Sequence, residues 1–277
     1  MNSPGILHKQ IQKVSCEHTL AGIDTLAIEA PLEIQIQYGS EKNRQQEALS
    51  VTMRTPGEDE DLALGFLFTE GILGNYSDVK EVRFIGENTI LVALKFEVAI
   101  DSSQFKRHFY TTSSCGVCGK GAIELLEKVS LYYPLKNQPQ VSTSVVLGLQ
   151  HQMAQQQQLY LDTGGIHAAA LVDKKGHCQL LREDVGRHNA LDKLIGSLLK
   201  SGDIPLRDHL LFLSGRAGFE LIQKAAMVGL PIVACVGAPS SLAVELAETH
   251  DITLIGFLKH HRFNIYCGAE RILLPDK

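Results

Sequence analysis

The chain has no basic excess, no long apolar run and no second close pair of cysteines, and each absence removes a class of function. Its 277 residues carry 26 lysines and arginines against 31 aspartates and glutamates, a formal net charge of -5. A dedicated binder of duplex nucleic acid needs a basic face, so that reading falls away. No stretch of about 20 apolar residues occurs, so no segment is expected to span a membrane. Residues 1–16 lack the apolar centre of a signal peptide. Without secretion, the six cysteines (Cys16, Cys115, Cys118, Cys178, Cys235 and Cys267) are not expected to form a disulfide framework. The expected compartment is the reducing cytoplasm. No internal repeat of fixed period is visible.

What is present reads as a globular chain long enough for one large domain or two modest ones. The first third is β-rich with one helix. Residues 33–38 (Glu-Ile-Gln-Ile-Gln-Tyr) alternate strictly, as a half-buried strand does. The acidic run Glu58-Asp59-Glu60-Asp61 suits the start of a helix whose apolar body is residues 62–68 and whose stop is Gly71. The run is read as a solvated helix start, not a metal site. Strands are expected near residues 81–85 and 89–96. The glutamine-rich stretch 150–158, with Met153 and Leu159, is read as a polar helix face.

The second half alternates in type. A hairpin is expected from residues 168–172 and 178–182, then a helix over 189–200. Strands at 210–213, 232–236 and 252–257 follow, with helices over 219–228 and 242–249 between them. Such alternation implies an α/β layered domain with a partly parallel sheet. Cys235, inside an apolar run, is read as a core thiol; Cys16, Cys178 and Cys267 are read as structural.

Ligands of such sheets bind beyond the carboxyl ends of the strands. Ser214-Gly215-Arg216 could hold an anion through backbone amides and a guanidinium. In Ala238-Pro239-Ser240-Ser241 a serine caps the next helix, which by itself would account for it, with a ligand role as the alternative. Phe257-Leu258-Lys259-His260-His261-Arg262 puts four basic or titratable groups after an apolar strand. It is either a solvated end or a phosphate site. Between Arg182 and Lys193, Asp184 and Asn189 are good caps, whereas Arg187 and His188 are candidates for a phosphate or pyrophosphate.

The strongest chemical signal is the run from Thr111 to Gly121, which holds Cys115-Gly116-Val117-Cys118-Gly119-Lys120. Glycines leave the sulfurs open, and residues 122–129 have helical periodicity. A helix start and Lys120 both favour the thiolate, the nucleophilic and metal-binding form. His167, after a double glycine, is most simply a structural histidine. A histidine with Cys-x-x-Cys is also shared with zinc deaminases, but Ala169 stands where their glutamate is needed and the cysteines precede the histidine. The pair by itself does not separate sulfur transfer, thiol–disulfide exchange and a structural zinc site. A zinc site wants four ligands and no second close pair exists. A thioredoxin-like pair would follow an early strand.

Taken in order, the blocks at residues 53–71, 114–119, 163–169, 182–193, 214–216 and 238–243 resemble the formate dehydrogenase accessory sulfurtransferase family, FdhD. Two departures are small: Gly218 stands where serine is common, and Lys259 where arginine is common. The resemblance implies a cytidine-deaminase-like, three-layer α/β domain over residues 106–277, preceded by a smaller α+β domain over residues 1–105. It implies a sulfur carrier that accepts persulfide sulfur from a cysteine desulfurase. The acceptor it implies is the molybdenum or tungsten bis(molybdopterin guanine dinucleotide) cofactor, before that cofactor enters formate dehydrogenase. Cys115 would bear the persulfide and Cys118 assist. Phe257, Leu258, Lys259, His260, His261 and Arg262 would bind the cofactor, with Arg187, His188, Ser214, Gly215 and Arg216 as further candidates. A guanine nucleotide such as GDP would occupy the same site. A homodimer is also implied, with no resident metal.

Overall fold

The structure is a computed structural model that describes residues 5–96, 98 and 132–274. The Cys115–Cys118 pair, Lys120 and the helix expected over 122–129 lie outside the described residues.

The N-terminal part opens with an antiparallel hairpin, β1 (Ile6–Val14) and β2 (Thr19–Ala27). It continues into a four-stranded sheet ordered β4-β3-β6-β5, formed by β3 (Ala30–Ser40), β4 (Asn43–Arg54), β5 (Val79–Gly86) and β6 (Thr89–Leu94). The strict alternation in β3 buries Leu32, Ile34, Ile36 and Tyr38 on one face, as a period of two requires. Helix α1 (Asp59–Thr69) interrupts the strands and ends at Gly71, which takes the left-handed conformation (φ 71°) that favours glycine.

The second sheet has six strands in the order β13-β12-β11-β10-β8-β9. Its members are β8 (His167–Asp173), β9 (Cys178–Asp184), β10 (His209–Leu213), β11 (Ile232–Cys235), β12 (Thr253–Lys259) and β13 (Arg262–Cys267). Strands β10, β11 and β12 run parallel; β8, β9 and β13 are antiparallel additions. The partly parallel sheet is as expected. The antiparallel β13 extends the series beyond the strand that was expected to close it.

Both faces of this sheet are covered. Leu211, Leu213, Val233 and Leu254 pack into the core beneath α4 (Arg187–Ser201), α5 (Phe219–Met227) and α6 (Ser241–Thr249). Their neighbours Leu210, Phe212, Ile232, Ala234 and Ile255 face the other way, against Val146, Leu149 and Met153 of α2 (Thr143–Gln156). Two-sided burial explains why these strands read as unbroken apolar runs. Burying one such leucine or phenylalanine contributes roughly 1.5–3 kcal/mol. A short helix, α3 (Gln158–Thr163), follows α2. The two-residue strands β7 (Val141–Ser142) and β14 (Ile272–Leu273) pair nearby. The chain is therefore a mixed α/β protein.

Helices α1 and α4 join the two sheets by close packing. A Cβ on Gly65 would stand 1.9 Å from the Asp192 carbonyl oxygen, and one on Gly196 would stand 1.9 Å from that of Asp61. Only glycine at both positions lets the backbones approach this closely. Around this crossing the acidic run departs from its expected solvated role. Asp59 and Asp61 are buried. Asp59 binds Arg54 at 2.7 Å, and Asp61 binds Lys200 at 2.7 Å and Arg182 at 3.3 Å. Arg54 is five residues from Asp59, but Asp61's partners lie 121 and 139 residues away, so the local sequence could not show them.

Candidate functional site

The carboxyl ends of β10, β11 and β12 are stitched together by backbone hydrogen bonds. The Gly237 amide donates to Gly215 at 2.9 Å, Ser240 to Ala217 at 3.0 Å, and Phe257 to Gly237 at 2.9 Å. A Cβ on Gly237 would come within 2.9 Å of Arg216, so the loops stack without room for a side chain there. Ser214, Gly215, Arg216 and Phe257 thus share one edge of the sheet. Ser214 Oγ accepts from the Ala168 amide at 2.8 Å, which ties β10 to β8. Ser240 caps α6 by accepting from Ala243, as its sequence context indicated.

Arg187 and His188 stand at the first two positions of α4, behind an N-cap, Gly186, that offers no side-chain hydrogen bond. The first turn therefore has free amides and a positive dipole end. His188 Nε2 lies 2.9 Å from Glu220 Oε2 at the start of α5. Its hydrogen bond holds the Glu220 carboxyl below the usual range. Arg187 Nε is buried without a partner among the described residues.

Asp184 and Asn189, expected as caps, act differently. Asp184 is fully buried at the end of β9. It accepts from the amides of Gly186 (2.8 Å) and Thr55 (3.1 Å), from Asn189 Nδ2 (3.0 Å) and from Lys193 Nζ (2.8 Å). Asn189 lies inside α4 and donates to the Met53 carbonyl at 2.7 Å. Lys193, 1% exposed, also donates to the Thr55 carbonyl at 2.9 Å. Four partners repay the desolvation of a buried carboxylate and ammonium. This cluster locks residues 53–55 against the start of α4 and so fixes where Arg187 and His188 stand.

The final basic stretch is the turn between β12 and β13. Phe257 is exposed with a left-handed backbone (φ 51°), and Lys259, His260, His261 and Arg262 are exposed. Leu258, in contrast, is fully buried in the core that α2 covers. Among the described residues no hydrogen bond or ion pair links Lys259 or Arg262 to Arg187, His188 or Ser214.

Beside this edge, between the sheet and the α2–α3 layer, lies a cavity of about 450 Å³. His167 and Ser214 line it together with Gln150, Gln157 and Tyr160. Burial chiefly, and then the charges of Arg187 and His188, hold the His167 imidazole below its ordinary range; Asp184 pulls weakly the other way. His167 also touches the site from beneath: a Cβ on Gly215 would sit 3.2 Å from its Nδ1. The glutamine stretch is a polar helix face as expected, and Gln150 and Gln157 come to line this cavity with His167 only through the fold.

Of the other cysteines, Cys235 is buried and its thiol is pushed up to about 11 by desolvation. Burial likewise raises Cys178 and Cys267, which are half-buried, while Cys16 is exposed on the hairpin. Inert, protonated thiols fit the structural reading of the buried ones. No helix among the described residues is long and apolar enough to cross a membrane.

Comparison with known proteins bears on the whole of this arrangement. A sequence profile of the FdhD/NarQ family matches residues 27–273. The sulfur carrier protein FdhD of Mycolicibacterium paratuberculosis is 43% identical over 273 residues, covering 95% of this chain and 97% of that one. The sulfur carrier protein FdhD of Picrophilus torridus is 44% identical over 251 residues, covering 90% and 92%. A crystal structure from Desulfotalea psychrophila, provisionally described as a formate dehydrogenase accessory protein, superposes with a TM-score of 0.74 at 22% identity. That match covers 98% of this chain and 100% of the other, and at such identity it speaks for the fold alone.

Proposed function

The chain belongs to the FdhD/NarQ family, and from that membership we propose that it is a sulfur carrier serving formate dehydrogenase. Cys115 takes sulfur from a cysteine desulfurase in the cytoplasm. The acceptor is the molybdenum bis(molybdopterin guanine dinucleotide) cofactor, bound as substrate before its insertion into the dehydrogenase. The working unit is a homodimer, and the α/β half carries a cytidine-deaminase-like arrangement.

The chemistry balances in two thiol exchanges. The Cys115 thiolate attacks the outer sulfur of the donor's persulfide. The donor's S–S bond breaks, the donor leaves as a thiolate, and a new S–S bond forms on Cys115 Sγ. In delivery, the Cys118 thiolate attacks Cys115 Sγ. The outer sulfur leaves as hydrosulfide toward the substrate, and the resulting Cys115–Cys118 disulfide is reduced by a cellular dithiol.

One observation carries the binding half of this reading: Arg187 and His188 stand on an α4 N-terminus without a side-chain cap, beside the stitched loops that hold Ser214, Gly215 and Arg216. Amides, a helix dipole and guanidinium groups are the donor set that phosphates require. The exposed turn with Lys259, His260, His261 and Arg262 adds charge for a polyanion.

The test is intact-mass measurement after incubation with a cysteine desulfurase and L-cysteine. A reducible one-sulfur adduct on wild type, lost in Cys115→Ala, is the expected result. No adduct on wild type, with desulfurase activity verified, would sink the carrier reading. One equivalent of tightly bound zinc, or insulin reduction, would put the structural-zinc or oxidoreductase reading in its place.

A further inference from the structure

Helices α4 and α5 meet through two successive ion pairs of opposite polarity. On α4, His188 and Asp192 stand one turn apart; on α5, Glu220 and Lys224 do. The inner pair is buried. Lys224 Nζ donates to both carboxylate oxygens of Asp192 at 2.9 Å and to the Thr69 hydroxyl of α1 at 2.8 Å. The outer pair joins His188 Nε2 to Glu220 Oε2 at 2.9 Å, with side chains 34% and 61% exposed. An isolated pair this exposed contributes little, because holding two free side chains in one geometry costs entropy. Here the buried pair already fixes the rotation and spacing of both helices, so the outer pair is presented in place.

The outer pair lies where the proposed function holds phosphate. His188 follows Arg187 in the first turn of α4, behind an N-cap without a side-chain hydrogen bond. Its hydrogen bond keeps the Glu220 carboxyl below the usual range, so Glu220 is ionised and can only accept. Nε2 therefore carries the proton, and in the neutral ring Nδ1 is a lone pair that a phosphate oxygen would meet unfavourably. A second proton turns Nδ1 into a donor, and a carboxylate in contact with the ring stabilises that proton. The other charges about the ring are Arg187 beside it, His167 on β8, Asp184 at the end of β9 and Asp192 further along α4. Arg187 and His167 oppose a second proton. Asp184 and Asp192 favour one, but Lys193 at 2.8 Å and Lys224 at 2.9 Å already neutralise them. Glu70 and Lys224 reach the ring only through Glu220. Among the described residues, the counter-charge in contact with His188 is Glu220.

We propose that Glu220 is a positioning residue of the phosphate-holding edge: it fixes the His188 ring through Nε2 and supplies the counter-charge for a second proton, so that Nδ1–H is offered to a bound anion. Glu220 acts through His188 and needs no contact with the ligand. The assignment rests on the phosphate-holding part of the reading above, and it makes that edge bind anions more tightly as pH falls.

The test uses the full chain and inorganic pyrophosphate, titrated by calorimetry from about pH 5.5 to about pH 8 in wild type and in Glu220→Gln. Glutamine keeps the acceptor and the shape and removes the charge. Wild-type affinity should rise as pH falls, and the midpoint of that rise should move down by about half a pH unit in Glu220→Gln. A carboxylate that merely repelled the anion would scale the whole curve without moving its midpoint, because Glu220 stays ionised over this range. Comparing the two proteins at each pH removes the ionisation of the probe itself. In a His188→Asn background, Glu220→Gln should leave the midpoint where it is, since the ring it acts on is gone. Proton–nitrogen NMR of the His188 ring is the second readout, and should show the neutral ring protonated on Nε2 in wild type. A midpoint that Glu220→Gln leaves unmoved, an equal shift in the His188→Asn background, or a neutral ring protonated on Nδ1 would each overturn the proposal. Pyrophosphate that fails to bind wild type at every pH overturns it together with the phosphate-holding reading, whereas binding with an unmoved midpoint refutes this assignment alone. Sulfur acceptance is judged separately, by the Cys115 adduct.

Discussion

Replacing Gly196 by alanine tests the packing on which both halves of the site depend. Helix propensity alone favours the change by about 1 kcal/mol, because alanine is the better helix former. The structure predicts the opposite sign. The new Cβ would lie 1.9 Å from the Asp61 carbonyl oxygen and 2.7 Å from the Gly65 nitrogen, both rigid backbone atoms. Ordinary contact begins near 3.4 Å, so α1 and α4 must separate by about 1.5 Å. That separation also stretches the ion pair of Asp61 with Lys200, now 2.7 Å. Overpacking of this kind costs about 3 kcal/mol. With a urea dependence near 3 kcal/mol per molar, the midpoint should fall by about 1 M. Gly148→Ala is the matched control. It lies inside α2, and its Cβ would meet only the Gln152 side-chain amide, at 3.5 Å. It should therefore gain up to about 1 kcal/mol. Urea unfolding followed by circular dichroism measures both. A Gly196→Ala protein as stable as wild type, alongside a stabilised Gly148→Ala protein, would refute the close crossing of α1 and α4.

Two further predictions concern charge. Asp192 and Lys224 form a buried pair at 2.9 Å, shared with Thr69. Asp192→Ala should cost about 3–5 kcal/mol by stranding the ammonium, and the double variant Asp192→Leu with Lys224→Met should recover most of it, read as thermal midpoints. The His167 imidazole should titrate below 6.5, because burial and then Arg187 and His188 disfavour its charged form. The sign follows directly: a depressed folded pKa gives stability that is present above the unfolded value and lost as pH falls through the folded one. NMR titration should show the midpoint rising in Arg187→Met while staying below the unfolded value, since desolvation is the larger cause. A midpoint that Arg187→Met leaves unmoved would contradict the proximity of the two groups.

Much of the architecture was legible because it rests on local periodicity. The alternation at residues 33–38, the apolar strands at 210–213 and 232–236, and the helices between them are patterns that burial imposes on neighbouring positions. Ser240 could be read as a cap because its partner is three residues away. Asp61 could not be read as buried, since its partners are 121 and 139 residues distant. The same holds for Asp184: a short acidic residue before a helix reads as a cap, but its bonds to Thr55 span 129 residues. Leu258 was grouped with its basic neighbours as a ligand residue, and the turn into β13 sends it into the core while Phe257 and Lys259 stay exposed.

By itself, then, the order of residues determined the element types, the partly parallel sheet and the blocks that mark the family, because each follows from spacing along the chain. Only the tertiary structure decided which polar groups come together. Gln150 and Gln157 look like a solvated helix face until the fold sets them opposite His167 and Ser214, on β8 and at the end of β10. Whether a donor has a partner depends on distance in space, which long-range packing sets and local pattern does not.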